Sequence, residues 1–461
     1  MPFRHLSSPS KKWCVFVDFK QSIYGPLDTR WLRRRILVEK EYAVDEVFGI
    51  NRDLPLNYVE RRSADLVLVA NLARRQHLVI YGSSKQGKTS LRKHCLKDDD
   101  YIVVHCSNKW SLDNVHEAIL KQAGYEITVS KTLATSGKQK IFAKIKASFF
   151  GSEAEGGAEA ERSNEEGLTT APLELDPMDV NDIISALTNI SFQRYIVLED
   201  FHYLPIETQK DFAVALKAFH ESSDFSFIII GVWLEKNRLS VYNGDLTGRL
   251  LPINADRWMR DELEQVISAG EALLNISFTK GFKNELLDSC YESVYIVQET
   301  CHQCCLREEV HRTQQEQREI GNNVNCSEII NYVVNQQGGR FNSFLTQFSE
   351  GFQDTTLEMH KWLLYPILIS DVEHIEKGFR QAEIRNILQQ THPRGSELNS
   401  GNVTQSLQSA SSLQIKKDIK PMILDYDQTN LRLNIVDKSF QIWLSRQDRN
   451  ELLDLVGLPL S

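Results

Sequence analysis

Nine consecutive residues, Gly82, Ser83, Ser84, Lys85, Gln86, Gly87, Lys88, Thr89 and Ser90, have the types and spacing to hold a chain of phosphates. They fit G-x-x-x-x-G-K-[ST] at Gly82, Gly87, Lys88 and Thr89. The glycines permit a backbone that turns several N–H groups onto phosphate oxygens, and a following helix adds its positive N-terminal end. Lys88 would reach the β- and γ-phosphates, and the Thr89 hydroxyl would coordinate Mg²⁺. The alternative is an ordinary glycine-rich turn. A strand-like run, "HLVIY", precedes the motif and a helix-like run follows it, which favours ATP and Mg²⁺ as ligands.

Such a loop needs acids, and "YIVLEDFHYL" supplies them as Glu199 and Asp200 at the end of an apolar run. One carboxylate would join Thr89 in the Mg²⁺ shell while the other polarises the attacking water. We assign Glu199 to the metal and Asp200 to the water. Asp followed by Glu is the common order, so the two roles stay open, and the short Asp200 as base implies slow hydrolysis. The pair would otherwise cap the next helix. His202, two residues on, could sense a γ-phosphate or serve only structure.

The elements that must position these groups alternate. Helical spacing from Leu56 in "LNYVERRSADLVLVANLARRQ" leads into "HLVIY", the loop and a helix. Strand "YIVVHCS" and helix "SLDNVHEAILKQAGY" follow, then helix "DVNDIISALTNI", strand "RYIVLED", helix "ETQKDFAVALKAFHESS" and strand "FSFIIIGVW". This is the α/β pattern of a parallel sheet with helices on its faces, expected over residues 55–258. About residues 130–175 interrupt it, where "GSEAEGGAEAERSNEEG" has nothing to bury and is expected to be a disordered insertion. Strands become rare afterwards. Residues 259–340 read as a helical lid, and 341–461 as a winged helix whose hairpin "PMILDYDQTNLRLNIV" turns at Asp427 to Asn430. Residues 1–54 carry no readable motif.

In their order, "VIYGSSKQGKTSL", "IVLEDFHYL", "FIIIGVW" and "GDLTGRLLPINADRW" resemble the AAA+ and STAND ATPases, in particular those similar to origin-recognition initiators and transposition-regulator ATPases. The resemblance spans roughly residues 55–455. It implies a P-loop NTPase core, a helical lid and a C-terminal winged helix. It also implies a homo-oligomer formed on nucleotide binding, in which Arg249 contacts a neighbour's γ-phosphate. Otherwise Arg249 is a surface or core-edge arginine, with Asp245 the one acid in its own segment. Where the family presents a polar sensor, this chain has Gly231, Val232 and Trp233. The function implied is a nucleotide-dependent assembly switch, in a setting such as bacterial phage defence with a separate effector protein. The alternative is an ATPase that assembles on duplex DNA and recruits a partner.

The formal charge, 53 − 62 = −9, gives no global basic field for nucleic acid. Residues 361–461 carry 12 basic and 12 acidic residues, so DNA contact would rest on "NSGNVTQSLQSASSL" and on Lys416, Lys417 and Lys420. Such a unit can equally serve as a packing module. Eight unevenly spaced cysteines without an apolar leader suggest reduced thiols and a cytoplasmic protein. "CHQCCLREEVHR" offers Cys301, His302, Cys304, Cys305 and His311 for zinc, with Cys290 and Cys326 distant. All five lie in one helical run, which favours buried thiols. The longest apolar runs, such as "FSFIIIGVWL", fall short of the ~20 residues that cross a bilayer.

Overall fold

Apolar strands covered on both faces need helices above and below them, and the first half of the chain is built that way. The computed structural model describes residues 40–50, 52–129, 140–146, 172–353 and 355–460. Within them run β1 (His77–Tyr81), β2 (Tyr101–His105), β3 (Tyr125–Val129), β4 (Ile141–Ile145), β5 (Leu173–Leu175), β6 (Tyr195–Glu199), β7 (Phe227–Gly231) and β8 (Leu250–Asn254). Five of these form a parallel sheet in the order β2-β6-β7-β1-β8. Alternate residues point to opposite faces. Leu78, Ile80, Val197, Ile228 and Ile230 therefore join one apolar cluster with Leu68 and Leu91, while Val79, Ile196, Leu198, Phe227 and Ile229 join the other with Phe201 and Phe212.

Two expectations change here. β3, β4 and β5 form a small antiparallel sheet, so the stretch expected to be a disordered insertion contains strands. Ile141, Ala143 and Leu175 are buried beside Tyr125, which is why these short segments pair. The acidic run itself lies outside the described residues. The helix expected from Leu56 begins only at Asp65 and runs Asp65–Leu72. The Asp65 carboxylate accepts from the Arg61 backbone N–H at 2.9 Å and from the Tyr58 hydroxyl at 2.5 Å, fixing the preceding residues as a non-helical strap.

The lid comprises helices Arg260–Leu274, Lys280–Ser289, Val294–Arg307 and Cys326–Asn335, with a parallel pair of short strands, β9 (Ile276–Phe278) and β10 (Arg318–Ile320). Helix Val44–Val47 packs on it, and Gly270 admits the Phe48 ring where a Cβ would stand 2.1 Å from it. The helical run from Lys280 is broken at Tyr291 and Glu292, both at positive φ. Cys290, Cys301, Cys304, Cys305 and Cys326 are buried free thiols in the lid core. Among the described residues, no group of three or more His, Cys, Asp or Glu is arranged to hold a metal.

The C-terminal domain is a winged helix. Helices Met359–Ile369, Gln381–Thr391 and Ser400–Lys416 accompany a sheet of β11 (Phe379–Arg380), β12 (Leu424–Asp427) and β13 (Arg432–Ile435) in the order β11-β13-β12. Lid and winged helix share one apolar cluster, and Arg446 of the C-terminal unit donates to Ser327 Oγ at 2.9 Å and Asn331 Oδ1 at 2.6 Å of the lid. A smaller cluster of Val232, Ile415, Met422 and Val436 ties the winged helix to the end of β7. No described helix is long and apolar enough to cross a membrane.

Candidate functional site

Local geometry makes the phosphate loop. Gly82 has φ +151, and a Cβ there would stand 2.7 Å from the Asp256 nitrogen, so only glycine fits between β1 and the chain after β8. Gly87, at φ +76, precedes helix Lys88–Cys95 in the left-handed region, and Lys85 adopts φ 60. The first N–H groups of that helix have no carbonyl a turn earlier to bond, and they face the end of the sheet where ligands bind in α/β folds. The loop is braced from three sides. Ser83 N–H donates to Asp256 Oδ1 at 2.7 Å, and Gln86 Nε2 donates to the Glu292 carbonyl of the lid at 3.0 Å. Ser84 N–H donates to the Val436 carbonyl of the winged helix at 2.8 Å.

Lys88 is buried, and its ammonium donates to the carbonyls of Gly82 at 3.0 Å and Ser83 at 2.5 Å. Burial pushes its pKa down from 10.5 to about 8, against the opposing pull of Asp256, Glu199 and Asp200. Because the folded value lies below the ordinary one, the buried charge costs stability below pH ~8, and that cost is relieved as pH rises toward 10.5. A phosphate at this loop would need the charged form, so the sign for its binding would be opposite. ATP affinity should be nearly level at neutral pH and fall about tenfold per unit above pH ~8, with proton uptake on binding. Calorimetry in buffers of different ionisation heat reads both quantities; a flat affinity across this range contradicts the role given to Lys88.

The two acids stand differently. Arg92, on the helix after the loop, holds Glu199 through Nε to Oε1 at 2.9 Å, with both side chains buried. Burial raises the Glu199 pKa, and Arg92 opposes the rise. Asp200 takes φ 58, which turns the chain sharply after β6. Its carboxylate has no hydrogen-bond or ion-pair partner among the described residues. Burial raises its pKa too, opposed by His105, Lys88 and Lys420.

Ser84, Lys85, Gln86, Gly87, Lys88, Thr89, Ser90, Glu199 and Asp200 line one cavity of about 350 Å³; Gly82 and Ser83 lie behind it. Arg249 is not among them. It sits beside the start of β1, where its carbonyl accepts from His77 N–H, at the opposite end of the sheet from the loop. Its guanidinium pairs with Glu221 at 2.7 Å and donates to the Asp245 carbonyl. The acid partner comes from the helix Ile206–Ser222, outside the segment in which Asp245 was the one acid in view.

The sequence reading missed the cavity's apolar end. Ile50, Pro55, Tyr58 and Val59 come from the segment before the first core helix, and Val266 and Tyr295 from the lid. At this end Asn57 and Gln298 pair reciprocally, at 2.8 and 2.9 Å. Arg61 lies over Trp258 at 4.2 Å and donates to the Ala255 carbonyl at 3.0 Å, closing the seam between strap and core. Pro55 gave no signal against a helix through this strap, since proline is accommodated at a helix N-terminus.

A second joint lies beside the cavity. Arg238 Nη2 meets Asp425 Oδ1 of β12 at 2.5 Å, with side chains 6% and 0% exposed, and Glu235 accepts from the Thr429 hydroxyl at 2.6 Å.

No family model and no curated protein matches the chain. Among solved structures it is similar to a Walker-type ATPase of Pyrococcus abyssi, at 12% identity over 84% of this chain and 99% of that one, with a TM-score of 0.44. The ORC2 protein of Aeropyrum pernix, in ADPNP–ADP complexes, shares 11% identity over 88% and 97%, at 0.43. The ORC1 protein of the same organism, in complex with DNA, shares 10% over 88% and 97%, at 0.41. With the phosphate loop at the tip of β1 and the acid pair one strand beyond its neighbour, the chain has a P-loop NTPase fold built on a parallel sheet.

Proposed function

We propose that the chain binds ATP with Mg²⁺ at Gly82 to Ser90, hydrolyses it slowly, and uses the nucleotide to set the position of its C-terminal domain. That position would govern self-association and signalling to a separate effector protein. The observation that supports the switch is the Ser84 N–H bonded to the Val436 carbonyl. Phosphates entering the loop act on a segment that already carries a bond to the winged helix. The apolar end, between strap and lid, suits a base, and the loop end suits phosphates.

Mg²⁺ would offset the charge that develops on the transferred phosphoryl group. Thr89 is exposed in the cavity with no hydrogen-bond partner among the described residues, and Glu199 has one oxygen held by Arg92, so both fit as its ligands. Asp200, unpartnered, is the group free to orient and polarise a water. Arg249 could meet a neighbouring subunit's γ-phosphate only by leaving Glu221.

The polar side chains of Ser400–Lys416 favour the switch over DNA reading, because Ser406, Ser411 and Gln414 are buried and Gln414 bonds Ile423 and Leu424. One observation favours the second reading: Arg380, Arg385 and Arg432 line a cleft of about 600 Å³ at the wing. A single assay tests both. Asp200→Asn should bind ATP normally and turn over about 10²-fold more slowly, the scale of a lost positioned base. If Glu199→Gln alone shows that behaviour, the roles are reversed. Stimulation of wild-type turnover by duplex DNA would support the second reading against the first.

A further inference from the structure

His202 is a buried side chain at the cavity whose two ring nitrogens both lack a hydrogen-bond partner among the described residues. It sits in the short turn Phe201–Tyr203 after Asp200, is 2% exposed, and lines the same cavity as Lys88 and Asp200. Neither ring nitrogen has a hydrogen-bond partner, although the ring packs against Tyr203 at 4.0 Å between centroids, tilted by 40°. An unpaired buried polar atom is expensive, and an imidazole has two. The charged groups that face it are Lys88 and Arg238, both cations, and with burial they keep the ring neutral. Glu199 and Asp200 line the same cavity, but neither carboxylate bonds to the ring nitrogens. The lining residues Ile230, Gly231 and Val232 offer no polar side chain.

We propose that His202 reads the γ-phosphate: with a triphosphate bound, a ring N–H donates to a γ-phosphate oxygen, a bond that a diphosphate cannot supply. The inference rests on the nucleotide reading above and adds discrimination between ATP and ADP to it. Arg238, one of the two cations acting on the ring, is the residue that pairs with Asp425, so the discriminating contact borders the joint with the C-terminal domain.

The test uses the full chain with Mg²⁺, and calorimetry of ADP and of a non-hydrolysable ATP analogue. His202→Leu, close in volume and without a donor, should weaken the analogue about tenfold or more, the scale of a hydrogen bond to a charged group. ADP affinity should stay within about twofold, and the melting temperature of the nucleotide-free protein should hold or rise, since two unmet atoms are removed. His202→Asn, which keeps a donor, should recover part of the preference. Equal loss for both nucleotides, or no loss for either, overturns the proposal while leaving nucleotide binding in place. A wild type that binds neither nucleotide overturns both. Should the leucine variant fail to fold, imidazole NMR of the wild type decides: a protected ring N–H must appear with the triphosphate analogue and stay absent with ADP.

Discussion

Lys88→Ala is expected to lower ATP affinity by about 10²-fold or more, because two charge-assisted bonds to phosphate, each about 1.5–3 kcal/mol, go with the ammonium. The fold should survive the change. The side chain is buried, its charge is disfavoured there, and its two acceptors are carbonyls of the loop itself. Removing a penalised charge leaves the nucleotide-free melting temperature level or slightly higher. The readout is therefore a contrast. An ATP analogue raises the melting temperature of the wild type through binding to the folded state, and the variant shows little or no rise. Equal affinity in the two proteins, by calorimetry, removes the phosphate loop from the proposed function.

Asp425→Ala should open the joint between the ATPase core and the C-terminal domain. Its partner Arg238 is nearly sealed from water, and deleting one member of a buried pair costs about 3–5 kcal/mol because the other charge is stranded. Glu235, 3.5 Å from Arg238, softens the loss. The energy acts at a boundary whose apolar contact is small, essentially Val232 and Leu234 against Ile415, Met422 and Val436. Separation at that boundary, with the larger lid and winged-helix core kept, is the expected response. Hydrogen exchange should then quicken at the Ser84 amide, whose acceptor is the Val436 carbonyl, with little change at the strands of the central sheet. The double variant Arg238→Met with Asp425→Leu should lose far less, since no charge is left alone. Unchanged exchange at Ser84 in Asp425→Ala would mean that this ion pair does not hold the domain at the loop.

Much of the fold was legible because its signals are local. Runs such as "HLVIY" and "YIVLE" are apolar throughout, as strands covered on both faces require, and each became a strand of the parallel sheet. The hairpin turn after Asp427 was marked by polar residues between two apolar runs, and β12 and β13 pair there. The helix drawn through residues 56 to 64 failed for a reason outside periodicity. The Asp65 carboxylate accepts from the Tyr58 hydroxyl and from the Arg61 backbone N–H, and Asn57 pairs with Gln298, far along the chain in the lid.

By itself the sequence determined the phosphate loop, because Gly82, Gly87, Lys88 and Thr89 act through spacing along a few residues, and it determined which strand carries the acids. Only the tertiary structure decided that Arg92 ties Glu199 and leaves Asp200 free. It alone joined Arg249 to Glu221, walled the cavity with Tyr58 and Tyr295, bonded Val436 to the loop and paired Asp425 with Arg238. Spacing specifies what neighbours in sequence can do together. Partners hundreds of residues apart are selected by the packing of the whole core, to which every buried side chain contributes and of which no short stretch carries a trace.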